Sequence, residues 1–125
     1  MIYSYIMNIY HRTDTLDKFE VSYTIDPVTK SLMLDNIIVN QEFRNKGIGK
    51  KIIYTFFSIC NLFKLNYFII KVISPIIETI IHNYYKYEKI TVCDYKIYGL
   101  SDIDYSESIL PIFLQINQDI QQQII

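Results

Sequence analysis

From Phe19 onward the chain alternates: Phe19, Val21, Tyr23 and Ile25 are apolar, and Glu20, Ser22 and Thr24 between them are polar. A period of two puts the apolar set on one face of a half-buried strand. Asp26-Pro27-Val28-Thr29 follows, with proline where a type I turn needs a fixed φ, so the pattern predicts a hairpin into a further strand over Ser31–Val39. Upstream, β-branched and aromatic residues crowd positions 2–10, with Tyr3, Tyr5, Met7 and Ile9 on one side, which predicts a first strand; the polar run 12–17 reads as a turn. The first third is therefore expected to be an antiparallel meander. Further on, Ile52, Ile53, Phe56, Phe57, Ile59, Cys60 and Phe63 recur at helical spacing and predict a helix to about Leu65. The unbroken apolar run 67–74 predicts a buried strand of the kind found in parallel sheets. Pro75 opens a second helix with Ile77, Ile80, Ile81 and Tyr84 on one face, residues 91–100 read as another strand, and residues 106–124 as a last helix. Pro111 places the true start of that helix near Leu110. This order predicts an α/β (α+β) fold, a mixed and mostly antiparallel central sheet flanked by helices.

Composition narrows the field. The 125 residues fit one domain, 1–125, and a half-hydrophobic, one-fifth-charged chain is far from the disordered class. A net charge of −1 gives no overall field toward nucleic acid or membrane, so neither is an expected partner. Cys60 and Cys93 are too few for a disulfide framework and lack the paired spacing of a zinc site, so no metal is expected and a reducing, cytoplasmic setting is. Residues 1–7 have neither the early positive charge nor the cleavage site of a signal peptide, and no apolar run reaches the length of a membrane span. Twenty-six isoleucines with no alanine make propensity a weak guide, so spacing carries the reading; the run Gln121, Gln122, Gln123 reads as a solvated helix end.

One segment carries chemistry. Between the strand ending at Val39 and the helix beginning near Lys50 lie Arg44, Asn45, Lys46, Gly47, Ile48 and Gly49. A helix N-terminus presents unpaired N–H groups and partial positive charge, and two glycines let the backbone approach an oxygen-rich anion. Arg44, Lys46, Lys50 and Lys51 make the local field positive. The pattern is that of a phosphate or diphosphate cradle; its structural alternative is a glycine turn with a solvated basic face. It is not a Walker A loop, because Arg44 and Lys51 stand where the first Gly and the Ser or Thr belong, nor a dinucleotide G-x-G-x-x-G, because Ile52 stands at the third Gly.

Arg44-Asn45-Lys46-Gly47-Ile48-Gly49 resembles the coenzyme A loop of the GNAT superfamily of N-acetyltransferases, whose pattern is Arg or Gln, two residues, Gly, one residue, then Gly or Ala. The resemblance covers roughly residues 31–92, since the family follows this loop with helix, strand, helix and strand. It implies a GNAT-like fold and transfer of the acetyl group of acetyl-CoA to an amine on a small molecule or protein. It further implies that amides from Arg44 to Lys50 hold the diphosphate and that Ile37, Ile38 and Val39 line the pantetheine arm where their strand splays from its neighbour. The family's proton donor to the departing thiolate falls on Tyr85, with Tyr84 as the alternative; Lys89 and Glu78 depart from the family's Gly and Asn. A backbone N–H near Val39 would polarise the thioester carbonyl. Asp35, four residues before Val39, is the candidate base, and a solvated strand carboxylate is its structural alternative. Glu20 and Glu42 are weaker candidates. His11 and His82 have no partner nearby in sequence and read as ordinary surface or packed histidines; Cys60 reads as core, and Cys93 has no activating neighbour.

With only about thirty residues before the strand at Ser31, the acceptor wall is expected to be open, or completed by a second copy of the chain in a homodimer. A catalytically inactive CoA-binding or interaction module of the same fold is the second reading. A nucleic-acid or phosphoprotein binder is the third, and the near-neutral charge speaks against it.

Overall fold

A computed structural model describes residues 9–101 and 109–125. Six strands, β1 (Tyr10–Thr15), β2 (Phe19–Asp26), β3 (Ser31–Val39), β4 (Tyr67–Lys71), β5 (Tyr85–Lys89) and β6 (Asp94–Leu100), form one sheet in the order β1-β2-β3-β4-β6-β5. Three helices accompany it: α1 (Ile48–Leu62), α2 (Pro75–Tyr84) and α3 (Leu110–Gln123). Only β3 and β4 run parallel; the other neighbours are antiparallel. The fold is thus α+β with a mixed sheet, as the element pattern predicts, but of six strands rather than the five expected.

The sheet buries one face. Val21, Tyr23, Leu32, Leu34, Phe68, Ile70, Tyr95 and Ile97 alternate along their strands and meet Ile52, Ile53, Phe56 and Ile59 of α1, Ile80 and Ile81 of α2, and Ile112, Ile116 and Ile120 of α3 in a single core. Period two on the strands and near-3.6 spacing on the helices aim these side chains inward. The opposite face, which carries His11, Thr24, Met33, Asp35, Tyr67, Ile69, Lys96 and Tyr98, has no helix packed on it among the described residues.

β2, β3 and their connecting turn stand where alternation places them. Asp26 Oδ1 accepts from the Val28 and Thr29 amides at 3.0 and 3.4 Å, which closes the turn. Two expectations need correction. The first strand expected over 2–10 lies mostly outside the described residues, and the segment read as a turn, 12–17, is largely β1. Its alternation is polar on both sides, because this edge strand turns inward an Arg12–Asp14 pair at 2.8 Å, whose Arg12 comes within 3.9 Å of a buried carboxylate, Asp119 of α3, rather than presenting apolar side chains to the core. Asp119 accepts from the Tyr23 hydroxyl at 2.5 Å and from Gln115 Nε2 at 3.0 Å. Burial, and then the adjacent carboxylate, push the Tyr23 phenol far above its ordinary range, so it remains a donor. The second correction is β5, which the sequence pattern misses. α2 ends at Tyr84, and Tyr85 enters a strand with φ −130° and ψ 152°. The last helix starts at Leu110 with Pro111 in its first turn, as Pro111 indicates; residues 106–108 of its expected range lie outside the described residues.

Candidate functional site: a groove between β3 and α2

β3 pairs with β2 along its whole length, Asp26↔Ser31 through Phe19↔Val39, but with β4 only from Ser31↔Tyr67 to Leu34↔Ile70. Past Leu34 the two strands part. β4 ends at Lys71 and the chain swings away to Ser74, which caps α2 by accepting from the Ile77 amide at 3.4 Å. The edge of β3 from Asn36 to Val39 is left facing a groove of about 840 Å³. Ile37, Ile38 and Val39 form one wall, and Ile73, Ser74, Ile76, Ile77 and Ile80 the other. Phe43, Arg44, Asn45, Gly47, Ile48, Gly49 and Lys50 close its end.

The loop at that end has the geometry an anion cradle requires. Asn45 and Gly47 both take left-handed backbone, φ 63° and 79°. Gly47 is the N-cap of α1, and no side chain caps this terminus. The first-turn amides of Ile48, Gly49 and Lys50 therefore have no carbonyl of their own helix to bond, and they open onto the groove. The N-terminus of α2, capped by Ser74, borders the groove farther along the same wall; Gly49 faces Ile80, in the second half of α2, so the helix dipole acting at the loop is that of α1. Arg44 and Lys50 contribute full charges, and none of the lining side chains among the described residues is acidic. The Arg44 guanidinium donates from Nε to the Val39 carbonyl at 3.0 Å, which fixes its stem at the groove mouth. Lys50 Nζ donates to the Tyr84 hydroxyl at 2.8 Å and lies 4.4 Å over that ring.

Most of the residues expected to hold a cofactor come together here: Ile37, Ile38, Val39, Arg44, Asn45, Gly47, Ile48, Gly49 and Lys50 all line the groove. Lys46 does not; its ammonium lies 5.7 Å over the Phe43 ring, outside the lining. Tyr85 is also elsewhere. It is the first residue of β5, only 5 % exposed, with its ring edge-on to Phe57 in the core. The reason is the helix end: one residue past α2, the strand geometry turns Tyr85 toward the core and leaves Tyr84 beside Lys50. Glu78 does not reach the groove either. It accepts from the Tyr95 hydroxyl at 3.2 Å on the other side of α2 and pairs with His82 Nε2 at 3.4 Å. Asp35 lies off the groove, on the open sheet face, where Thr24 donates to it at 2.6 Å.

The second wall, at Ile73, Ser74, Ile76, Ile77 and Ile80, is invisible to a local reading because it stands some thirty residues from the loop in sequence. Its one sequence signal is Ser74-Pro75, a cap followed by proline at the first helical turn. Cys60 is buried in the core, its thiol pushed well up by burial, and Cys93 is partly buried; both are free. Among the described residues no three His, Cys, Asp or Glu side chains gather as a metal site, and no helix is long and apolar enough to cross a membrane. No protein-family model matches the chain, and no curated protein matches its sequence.

Proposed function

We infer that the groove takes coenzyme A and that the protein is a GNAT-like N-acetyltransferase, passing the acetyl group of acetyl-CoA to an amine. One observation carries this reading: half of β3 is released from β4 into a groove that ends at the uncapped N-terminus of α1. A diphosphate placed on the first-turn amides meets the N-terminus of α1, worth about 0.3–1 kcal/mol to an anion, before Arg44 and Lys50 are counted. From there an extended chain the length of pantetheine runs between isoleucines along the free strand edge. The backbone groups of that edge have no partner strand on the groove side, so the arm can bond them as a fourth strand would. Its thiol end then arrives where β3 and β4 part, beside Leu34 and Ile70. With Tyr85 buried in the core and the Tyr84 hydroxyl held by Lys50 at the diphosphate end, neither phenol reaches the thiol end, and the departing thiolate takes its proton from the attacking amine.

The catalytically inactive CoA-binding module is the second reading, and the burial of Tyr85 favours it: among the lining side chains the only hydroxyl is that of Ser74. Calorimetric titration with CoA and with pantetheine, followed by thiol release from acetyl-CoA over a panel of amines, separates the two. The transferase reading requires CoA to bind at least tenfold more tightly than pantetheine and thiol release to depend on the amine. Binding without amine-dependent release establishes the module instead, and equal affinity for the two ligands removes the diphosphate site.

A further inference from the structure

On the side of α2 away from the groove, four side chains converge that the groove does not use. Glu78 and His82 stand four residues apart on α2, the spacing at which a helix sets two ligands on one face. Tyr87 comes from β5 and Tyr95 from β6. Glu78 Oε1 is the hub, with His82 Nε2 3.4 Å away and the Tyr95 hydroxyl 3.2 Å away. The other imidazole nitrogen, Nδ1, bonds the Tyr87 hydroxyl. The imidazole also lies edge-on to both phenol rings, at 78° to Tyr87 and 89° to Tyr95, with centroids 5.0 and 6.2 Å away. His82, which the sequence pattern leaves without a partner, is thus held on both nitrogens and on its ring edge.

The separations at the hub are long for hydrogen bonds, whose usual spans are about 2.7–3.2 Å for N–H···O and about 2.5–3.0 Å for O–H···O. They suit a metal better. Ligands held about 2.0–2.2 Å from a tetrahedral zinc ion lie about 3.3–3.6 Å from one another. The three donors meet that spacing with little movement. The Glu78 and His82 side chains are each 46 % exposed, so an ion reaches the hub from solvent and a water can complete its shell.

We propose that Glu78, His82 through Nε2, and Tyr95 are the protein ligands of a tetrahedral zinc site, with water as the fourth ligand and Tyr87 as a positioning residue. Coordination through Nε2 puts the imidazole proton on Nδ1, and the Tyr87 oxygen accepts it, the kind of outer contact that fixes a metal-bound histidine. The Tyr95 phenol gives up its proton to solvent as the ion binds, so the dication, the Glu78 carboxylate and the phenolate sum to zero charge. One nitrogen and two protein oxygens in a tetrahedral array favour zinc over calcium or magnesium, which take six or more oxygens. The sequence excludes a cysteine-based zinc site and is silent on this one, because no ligand is a cysteine and Tyr95 comes from a different element. The ion ties α2, one wall of the groove, to β6, and the site stands whether or not the groove takes CoA.

The test uses the full chain, stripped with chelator and titrated with zinc chloride by calorimetry and with cobalt(II) by visible absorption. One equivalent of zinc is expected to bind and to raise the melting temperature, and cobalt is expected to give the intense bands of a four-coordinate ion. Glu78→Gln, His82→Gln and Tyr95→Phe should each weaken zinc binding at least ~100-fold, and Tyr87→Phe ~10-fold, with the circular dichroism of the fold unchanged. His11→Gln and Cys93→Ser, which lie outside the site, should leave the affinity within twofold. Wild-type affinity in any of the three ligand variants overturns the site, as do the weak bands of six-coordinate cobalt or no binding at millimolar metal. Loss of binding in His11→Gln or Cys93→Ser shows an adventitious ion elsewhere and overturns it as well.

Discussion

A single substitution in α1 separates fold from ligand. Gly49 is the second residue of the helix, and a Cβ built there would meet only Ile80 Cδ1, at an ordinary contact distance of 3.6 Å. Gly49→Asp is therefore sterically open. Replacing glycine inside a helix recovers a few tenths of a kcal/mol of backbone entropy, and a carboxylate in the first turn gains a further ~0.3–1 kcal/mol against the helix dipole. No acidic residue occupies that turn now, so nothing offsets the gain. The variant should melt at the wild-type temperature or a few degrees above it. The same carboxylate sits where the diphosphate is expected. At about 5 Å and an effective dielectric constant of about 20, each like-charge pair costs about 3 kcal/mol, or roughly two powers of ten in affinity.

The two signs point in opposite directions, which makes the outcome decisive. Melting followed by circular dichroism and CoA titration by calorimetry should show a protein as stable as wild type, or more so, with CoA affinity down at least ~100-fold. Gly49→Ala is the control: stability rises by up to ~1 kcal/mol and CoA still binds. Wild-type CoA affinity in Gly49→Asp refutes the placement of the diphosphate on α1. Gly47 cannot serve for this experiment, because its φ of 79° adds strain of ~1–2 kcal/mol to any side chain and confounds folding with binding.

Four further outcomes follow from the structure. Tyr84→Phe removes the acceptor that fixes Lys50 beside the loop and should weaken CoA binding at least ~3-fold with the fold intact; unchanged affinity would show that this contact does not place the ammonium on the diphosphate. Tyr23→Phe removes a donor to buried Asp119 and should destabilise the fold by ~1.5–3 kcal/mol at neutral pH in urea titration, and a loss below 0.5 kcal/mol would show that the bond is not made. The pH dependence has a definite sign. The folded Tyr23 phenol titrates above its ordinary value near 10, so above that pH the unfolded chain loses a proton the folded one keeps, and stability falls as pH rises, a component absent from Tyr23→Phe. Thiol labelling of the native protein should proceed at Cys93 and be blocked at Cys60, whose thiol is both buried and pushed up; fast reaction of both would contradict the packing of α1.

What the sequence reveals tracks how local each interaction is. β2, β3, α1 and α2 are legible because each packs an apolar face against the same core, so burial prints its period on the chain. β1 is not, because its inward positions hold Arg12 and Asp14, which pair with each other, and Arg12 also faces Asp119, more than a hundred residues away. β5 carries a period-two pattern in Tyr85 and Tyr87 against Lys86 and Glu88, but the helical spacing ending at Tyr84 runs straight into it and masks the boundary. The groove divides the same way. Its loop and β3 wall lie within residues 37–50 and can be read directly, whereas the α2 wall comes from elsewhere in the chain.

The bulge at Asp35 links the two faces of the sheet. Leu32 and Leu34 point into the core at even positions, and Ile37 and Val39 pack against it at odd ones. One extra residue between Leu34 and Asn36 makes that change of phase. Without it, Ile37 and Val39 would face solvent, and Asn36 and Ile38 would press on α1. With it, the free half of β3 keeps its apolar side toward the core and turns its edge to the groove. The displaced residue is thrown onto the open face at the point where β3 and β4 part, and at that position the chain carries a carboxylate hydrogen-bonded to Thr24 and facing His11. The bulge thus acts through packing: it holds Ile37 and Val39 on the core side while the carboxylate it displaces is taken up by Thr24 on the open face.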